Sequence, residues 1–411
     1  MYGLIGEKLG HSFSKVVHEE FQEYSYDLYP LSREEFPKFM EKKEFTAINV
    51  TIPYKEMVMP YLDHIDDKAK SIGAVNTIVN RDGMLTGFNT DYDGFLYTLE
   101  VHNIEVKGKK TLILGKGGAA KACSAVLSDL GAEVYFVYYK QEEGFLTYET
   151  CYTSHTDAEI IVNTTPVGMH PNDQNSPIQL SFFPNLRTVI DVVYNPLRTK
   201  LLIEAEELGI TAIGGLEMLI AQAKFAAEIF MKKKLGEDTL DALYKKIRRE
   251  KNNIVLVGMS GSGKSVLGKK IADQLGKKFV DTDAEIVKQI GMPIHQFFRE
   301  NGEAPFRLVE SEVVAQLSGE TGLVIATGGG VIKDHNNVRE LKKNGVIVWL
   351  HRNPELLAYG TSRPLASTKE ETKKLYDERF PLYERAADFT VSNDETEEMC
   401  VASLMEKFMN Y

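Results

Sequence analysis

The chain has 411 residues, 43% of them hydrophobic and 26% charged, which is enough apolar material for two or three cores and too little polar bias for a mainly disordered protein. A net charge of −11 argues against a nucleic-acid footprint, and Cys123, Cys151 and Cys400 lie too far apart for a disulfide framework or a metal-ligand spacing. With no run near the ~18 apolar residues of a membrane span, no amino-terminal signal pattern and no paired-histidine zinc motif, the sequence predicts a soluble, cytoplasmic protein whose metal is Mg²⁺ carried with nucleotide.

Residues 1 to 6 read as a short buried strand. Gly10 to Ser14 form a polar turn into an amphipathic helix with Val16, Val17 and Phe21 on one side, so the hydroxyls of Ser12 and Ser14 serve either as helix caps or as ligand donors. Phe45 to Pro53 is a β-rich run broken by proline, after which Lys55 is expected at the strand's carboxyl end, where α/β proteins place their ligands. Gly73 to Thr77 and Gly87 to Asp91 are two further short strand-and-turn pieces carrying amides, hydroxyls and a carboxylate. Lys55 beside Asp91 suits ketone reduction, because an ammonium supplies both charge and a proton to a developing oxyanion while the carboxylate orients it.

In order, H-S-x-S (His11 to Ser14), N-V-T-x-P-x-K (Asn49 to Lys55), G-A-x-N-T (Gly73 to Thr77) and N-T-D-x-x-G (Asn89 to Gly94) resemble the shikimate dehydrogenase family. The resemblance implies an α/β substrate-binding domain over residues 1–100, with returning helices at about 215–237, and a Rossmann NADP-binding domain over 101–214. It also implies that Ser12, Ser14, Thr51, Asn76 and Asp91 hold a polyhydroxylated cyclohexene carboxylate, with Lys55 and Asp91 at the reacting carbon. Lys15 stands where the family usually has proline.

Lys110 to Leu114 read as a strand, followed by G-x-G-x-x-A from Gly115 to Ala120 and a helix through Ala122, Ala125, Val126 and Leu130. Gly115, Gly117, Gly118 and Ala119 then turn backbone N–H groups onto a pyrophosphate. A second strand begins at Glu133 and ends in Tyr138, Tyr139 and Lys140, ahead of the first carboxylates, Glu142 and Glu143. NADP-using relatives usually carry Asn-Arg-Thr there, and alanine at Lys116, so Lys140 is the cation expected to meet a 2′-phosphate and NADPH is the expected coenzyme. Strands ending near Asn163 and Asp191 follow. The family likeness implies that Tyr194 and Gln222 reach the substrate and that Met169 lines the nicotinamide side, while Met218 and Leu219 fit core packing equally well.

A helix from Thr239 to Arg249 carries a basic run read as a solvated helix end, and Lys251 to Asn253 read as a short polar connection, so that 238–251 form a helical linker. Ile254 to Ser265 then give a strand running into G-x-x-x-x-G-K-S, a triphosphate site. Gly258, Gly261, Ser262 and Gly263 form its loop, Lys264 places charge between the β- and γ-phosphates, and Ser265 offers its hydroxyl to Mg²⁺. Asp281 and Asp283, read as sharing one face at a strand end, act as a water-mediated Mg²⁺ ligand and a proton acceptor, or else as helix caps.

The elements around Arg307, Gly328 to Gly330, Arg363 and Arg379 resemble shikimate kinase in order and spacing over 252–411. That likeness implies a P-loop kinase-type α/β domain in which Asp283, Arg307, Gly329 and Arg379 bind shikimate. It also implies that Arg363 rides a lid at about 353–368, and that Tyr359, where relatives often have arginine, stacks on adenine. The whole therefore reads as a bifunctional enzyme that reduces 3-dehydroshikimate with NADPH and phosphorylates shikimate with ATP and Mg²⁺. Two alternatives remain: an NAD-dependent quinate or shikimate dehydrogenase fused to a small-molecule kinase, and a non-catalytic ligand-sensing regulator. Coenzyme preference separates the first, and the intact Lys55, Asp91, Lys264, Asp283 and Arg363 count against the second.

Overall fold

The computed structural model describes residues 1–411 except 11, 22, 237 and 358–367. It divides into two compact units, Met1–Ile247 and Arg248–Tyr411. Among the described residues no helix is long and apolar enough to cross a membrane.

The first unit opens with β1 (Tyr2–Gly6), α1 (Ser14–Glu19), β2 (Asp27–Pro30), α2 (Glu35–Lys42), β3 (Ala47–Val50), α3 (Tyr54–Met57), β4 (His64–Ile65), α4 (Asp67–Ile72), β5 (Thr77–Arg81), β6 (Met84–Phe88) and α5 (Thr90–Val101). These strands form one sheet in the order β2-β1-β3-β5-β6-β4, parallel from β2 to β3 and antiparallel from β3 through β5 to β6. The chain continues through β7 (Lys110–Leu114), α6 (Gly118–Asp129), β8 (Glu133–Val137), α7 (Tyr148–Ser154), β9 (Ile160–Asn163), β10 (Thr188–Asp191), α8 (Lys200–Glu207), β11 (Thr211–Ile213) and α9 (Leu216–Met231).

This second sheet is wholly parallel, in the order β11-β10-β9-β7-β8. Its strands are apolar without a polar alternation because both faces are covered. Leu112 and Leu114 pack with Val137, Ile161 and Val189, whereas Ile113 packs on the other face with Val162, Ile190 and Ile213. The strand order reverses between β7 and β9, so their carboxyl ends flank the crevice where such sheets bind ligands. Helix α9 returns against α5 and α1. Gly94 permits that approach, since a Cβ there would lie 2.8 Å from the Met218 carbonyl oxygen.

Helix α10 (Thr239–Lys251) buries Leu240, Leu243 and Ile247 in the cluster of Phe13, Val17 and Ile220. Its basic end corrects the sequence reading, because it is not simply solvated. Arg248 and Arg249 donate to the carbonyls of Tyr411 and Met409 at 3.1 and 2.6 Å. Lys277 Nζ donates at 2.9 Å to the carbonyls of Arg249, Glu250 and Asn252, capping the helix end, and burial pushes its pKa down to about 8. Nor is 251–253 a polar connection: Asn253 is buried and begins a strand, its amide satisfying the Glu320 carbonyl and the Leu323 N–H.

The second unit runs β12 (Asn253–Val257), α11 (Lys264–Leu275), β13 (Lys278–Asp281), α12 (Thr282–Ile290), α13 (Ile294–Asn301), α14 (Glu303–Ser318), β14 (Leu323–Ala326), α15 (His335–Lys342), β15 (Gly345–His351), α16 (Lys369–Ala386), β16 (Phe389–Ser392) and α17 (Glu397–Asn410). Its parallel sheet, β13-β14-β12-β15-β16, again buries both faces. Val255, Val257, Ile325, Ile347 and Trp349 face one cluster, and Ile254, Leu256, Val324, Val346 and Val348 the other. The glycine loop leaves the carboxyl end of central β12.

Candidate active sites

In the first unit Lys55 Nζ donates to Asp91 Oδ2 at 2.6 Å, and the two side chains are only 15% and 8% exposed. Lys55 follows the carboxyl end of β3 as the sequence suggested, although the strand is shorter than the β-rich run: β3 stops at Val50 and Pro53 leads into α3, which carries the lysine. Asp91 stands in the first turn of α5, whose positive end favours a carboxylate and whose N-cap, Asn89, accepts the Asp91 N–H at 3.1 Å. Asn76 Nδ2 donates to Asp91 Oδ1 at 2.9 Å and reaches Gln222 Oε1 on α9 at 3.4 Å. Four residues from separate elements thus share one network.

Behind it, Tyr26 donates to Asn49 Oδ1 at 2.8 Å, and Asn49 Nδ2 donates to Thr77 Oγ1 at 3.0 Å. Tyr26 is fully buried and stacks at 3.9 Å on His18, whose ring burial drives its pKa down to about 3. Nothing in the local sequence marks either residue. The Ser12 and Ser14 hydroxyls lie 3.1 Å apart, and Ser14 N–H donates to Ser12 Oγ at 3.2 Å. The N-cap residue of helix α1, Phe13, offers no side-chain cap, but Ser12 Oγ takes the first helical N–H, so the capping alternative holds for Ser12 and not for Ser14. Tyr194 bonds Ser12 and the Phe13 N–H, and desolvation raises its phenol pKa against those two contacts. Thr51 continues the β1–β3 pairing beyond β3 through its N–H to the Ile5 carbonyl at 2.9 Å, but no hydrogen bond joins its side chain to the Asp91 network among the described residues.

The glycine turn after β7 sits against this network. Gly115 has φ +114°, and a Cβ there would lie 2.8 Å from Thr164 Oγ1. Gly117 precedes α6 without a side-chain cap and with open space where a Cβ would be, so the N–H groups of Gly118 and Ala119 suit a pyrophosphate. A Cβ on Gly118 would lie 3.0 Å from Lys55 Cδ, which brings that turn to the ion pair. Met169 follows Gly168 and is 43% exposed. Lys140 lies 5.1 Å over the ring of Tyr139, which is 67% exposed, while Lys116 bonds Glu142 Oε2 at 2.6 Å and lies 4.3 Å over the Tyr138 ring. Below the turn, buried Asp191 accepts from Asn163, Val193 N–H and Thr199 at 2.9, 3.0 and 2.7 Å, and burial pushes its pKa up to about 7.

In the second unit Lys264 Nζ donates to the carbonyls of Gly258 and Met259 at 2.8 and 2.9 Å, and Gly263, at φ +96°, opens α11 without a side-chain cap. Gly258 and Gly261 also have positive φ, and the Ser262 hydroxyl is buried without a hydrogen bond. These features fit a loop built for phosphate oxygens. Asn393, missed by the sequence reading, holds the loop by donating to the Ser262 carbonyl at 2.8 Å. Ser265 Oγ donates to Asp281 Oδ2 at 2.6 Å, while Asp281 Oδ1 caps α12 through the Asp283 N–H at 3.0 Å. The capping and metal readings of Asp281 therefore use different oxygens. Among the described residues no cluster of three or more His, Cys, Asp or Glu could hold a metal by itself.

Asp283 does not share a strand face with Asp281, because the strand has ended and Asp283 belongs to the first turn of α12. Surrounding protein, then the Asp281 charge, raise its pKa, while Lys264 and Arg307 oppose the rise. Arg307 donates to Glu310 Oε2 at 2.7 Å and to Glu303 Oε1 at 2.9 Å. Arg379 Nη1 and the Tyr383 hydroxyl both donate to the Gly329 carbonyl, at 2.8 and 2.6 Å. Glu310 is 1% exposed and its Oε1 has no hydrogen bond; Arg379 Nε is likewise buried without one. Glu303, Glu310 and Tyr383 were not identified as site residues from sequence, although Arg307 and Glu310 stand three apart on one helix. Tyr359 and Arg363 lie outside the described residues.

A sequence model described as the shikimate dehydrogenase substrate binding domain matches residues 4–78, and one described as shikimate kinase matches residues 260–409. Shikimate dehydrogenase (NADP(+)) of Clostridium beijerinckii is 38% identical over 261 residues, covering 59% of this chain and 96% of that protein. A crystal structure of shikimate dehydrogenase 1 from Peptoclostridium difficile aligns with TM-score 0.57 and 38% identity over 60% of this chain and 97% of its own. The Thermus thermophilus enzyme in complex with NADP(H) and shikimate aligns with TM-score 0.54 and 30% identity over 60% and 98%.

Proposed function

The chain belongs to the shikimate dehydrogenase family through its first 60% and carries a shikimate kinase domain beyond it, and from that premise we propose two successive reactions for this bifunctional enzyme. It reduces 3-dehydroshikimate to shikimate with NADPH, then transfers the γ-phosphoryl group of ATP to the shikimate 3-hydroxyl. The observation that supports the first step best is the Gly118 turn lying against Lys55, as a coenzyme site beside a proton donor requires.

NADPH, when bound, supplies the hydride. Lys55 gives its proton to the carbonyl oxygen as negative charge develops there, and Asp91 holds the ammonium in place at 2.6 Å. Asn76 and Gln222 orient ring hydroxyls, with Ser12, Ser14, Thr51 and Tyr194 fixing the remainder of the substrate. Met169 would border the nicotinamide.

ATP supplies the phosphoryl group and Mg²⁺ its charge neutralisation, with Ser265 and Asp281 as the residues to hold the metal. Asp283, its pKa raised, accepts the proton of the attacking hydroxyl. Arg307, Arg379 and Gly329 would bind the shikimate carboxylate and ring, and Lys264 would stabilise the transferring phosphoryl group. The test is one assay supplying 3-dehydroshikimate, NADPH, ATP and Mg²⁺, with each omitted in turn. Shikimate 3-phosphate should form only in the full mixture, and shikimate should accumulate without ATP. NADPH oxidation that does not yield shikimate would sink the proposal.

A further inference from the structure

In a Rossmann half the adenosine 2′-position lies at the carboxyl end of the second strand, next to the first glycine turn. Here that strand is β8, which ends at Val137, and the residues after it fold back so that Tyr138 N–H meets the Leu146 carbonyl at 2.8 Å. The side chain that reaches this place from the glycine turn is Lys116, lying between Gly115 and Gly117. Its ammonium is 4.3 Å over the Tyr138 ring and bonds Glu142 Oε2 at 2.6 Å. Lys140, although nearer β8 in sequence, lies over the exposed Tyr139 ring.

We propose that Lys116, and not Lys140, is the cation that selects the 2′-phosphate of the coenzyme, and that Glu142 is the carboxylate it gives up to make that contact. The inference rests on the NADPH reading above. Lys116 and Glu142 are 39% and 42% exposed, so their mutual attraction is weak and easily exchanged. A 2′-phosphate carries more charge and three acceptor oxygens, so it wins the ammonium. Tyr138 supplies a face that keeps the lysine stem beside the ribose rather than in solvent. Glu142, released, remains a nearby like charge, so it holds NADPH affinity below what Lys116 alone would give.

NADPH and NADH affinities, measured by coenzyme fluorescence on the full chain without substrate, test this. Lys116→Ala should weaken NADPH about tenfold, the worth of one charge-assisted contact, and leave NADH within about twofold, which also reports an intact fold. Lys140→Ala should change the preference by less than about twofold, and Glu142→Gln should tighten NADPH about threefold without affecting NADH. A wild-type preference for NADPH that survives Lys116→Ala, or falls only in Lys140→Ala, overturns the assignment alone. Equal wild-type affinities for the two coenzymes overturn the NADPH reading and this assignment with it.

Discussion

Replacing Lys55 with methionine removes the ammonium and keeps most of the stem, so it separates proton donation from packing. Its partner Asp91 is not stranded, because Asn76 Nδ2 remains at 2.9 Å and the first turn of α5 still faces the carboxylate. Breaking a fully buried pair costs about 3–5 kcal/mol, and with these two compensations the loss here should be nearer about 1–2 kcal/mol. Catalysis should suffer more. Loss of a general acid lowers turnover about 10²–10⁴-fold, equivalent to about 3–5 kcal/mol of barrier. NADPH oxidation by the variant should therefore show a large fall in kcat with a smaller change in KM for 3-dehydroshikimate. Shikimate phosphorylation by the same molecule serves as the internal control and should be unchanged. A dehydrogenase kcat within about tenfold of wild type, with kinase turnover intact, would refute the role of Lys55.

Gly118→Ala places a methyl group 3.0 Å from Lys55 Cδ, so it should displace the ammonium and cut dehydrogenase kcat about tenfold or more while kinase rates stay constant; an unchanged kcat counts against the close approach. Gly330→Ala puts a Cβ within 2.6 Å of Arg307 Nη1, and moving that guanidinium should raise the kinase KM for shikimate about tenfold without altering KM for ATP, a split that steady-state kinetics resolves. Asp191 gives a pH dependence whose sign follows from burial raising its pKa from 3.8 to about 7. Its neutral form is favoured in the folded state, so its stability contribution is full below 3.8 and is lost as pH rises towards 7. The slope is at most about 1.4 kcal/mol per pH unit, the value for one proton. Asp191→Asn should flatten the wild-type decline in urea-unfolding stability between those pH values, and identical slopes for the two proteins would exclude Asp191 as its source.

What could be read from the sequence was chemistry carried by contiguous residues. The turns after β7 and β12 were legible because a phosphate cradle needs glycine at fixed offsets between a strand and a helix, and both helices duly begin there, at Gly118 and Lys264. Short or half-exposed strands left weaker traces: β2 has a burial pattern of exposed ends and half-buried centre, and β4 is two residues long. The placement of Asp283 failed for a specific reason. A strand period was applied across a boundary at which Asp281 had already turned its side chain back to cap α12. Contacts between distant segments were illegible altogether, as with Tyr383 on the Gly329 carbonyl and Tyr26 on Asn49.

If the two proposed reactions share one anionic molecule, the two sites would meet it with different electrostatics according to the bond being changed. In the first unit the only ion pair at the centre among the described residues is Lys55 with Asp91, which is locally neutral, and the residues around it, Asn76, Gln222, Ser12, Ser14 and Tyr194, are uncharged donors and acceptors. Reduction of a ketone needs one proton placed at one oxygen, so a single mobile charge held by its partner is sufficient. In the second unit Arg307 is set between Glu303 and Glu310, Arg379 is bonded to a carbonyl instead of an acid, and Lys264 lies on loop carbonyls. Phosphoryl transfer spreads negative charge over several oxygens, and it needs several cations prearranged in a site that also contains a carboxylate base. The carbonyls and carboxylates around those cations hold them in position. The difference between the two sites therefore follows from the chemistry each performs, even though the proposed molecule leaving one is the molecule entering the other.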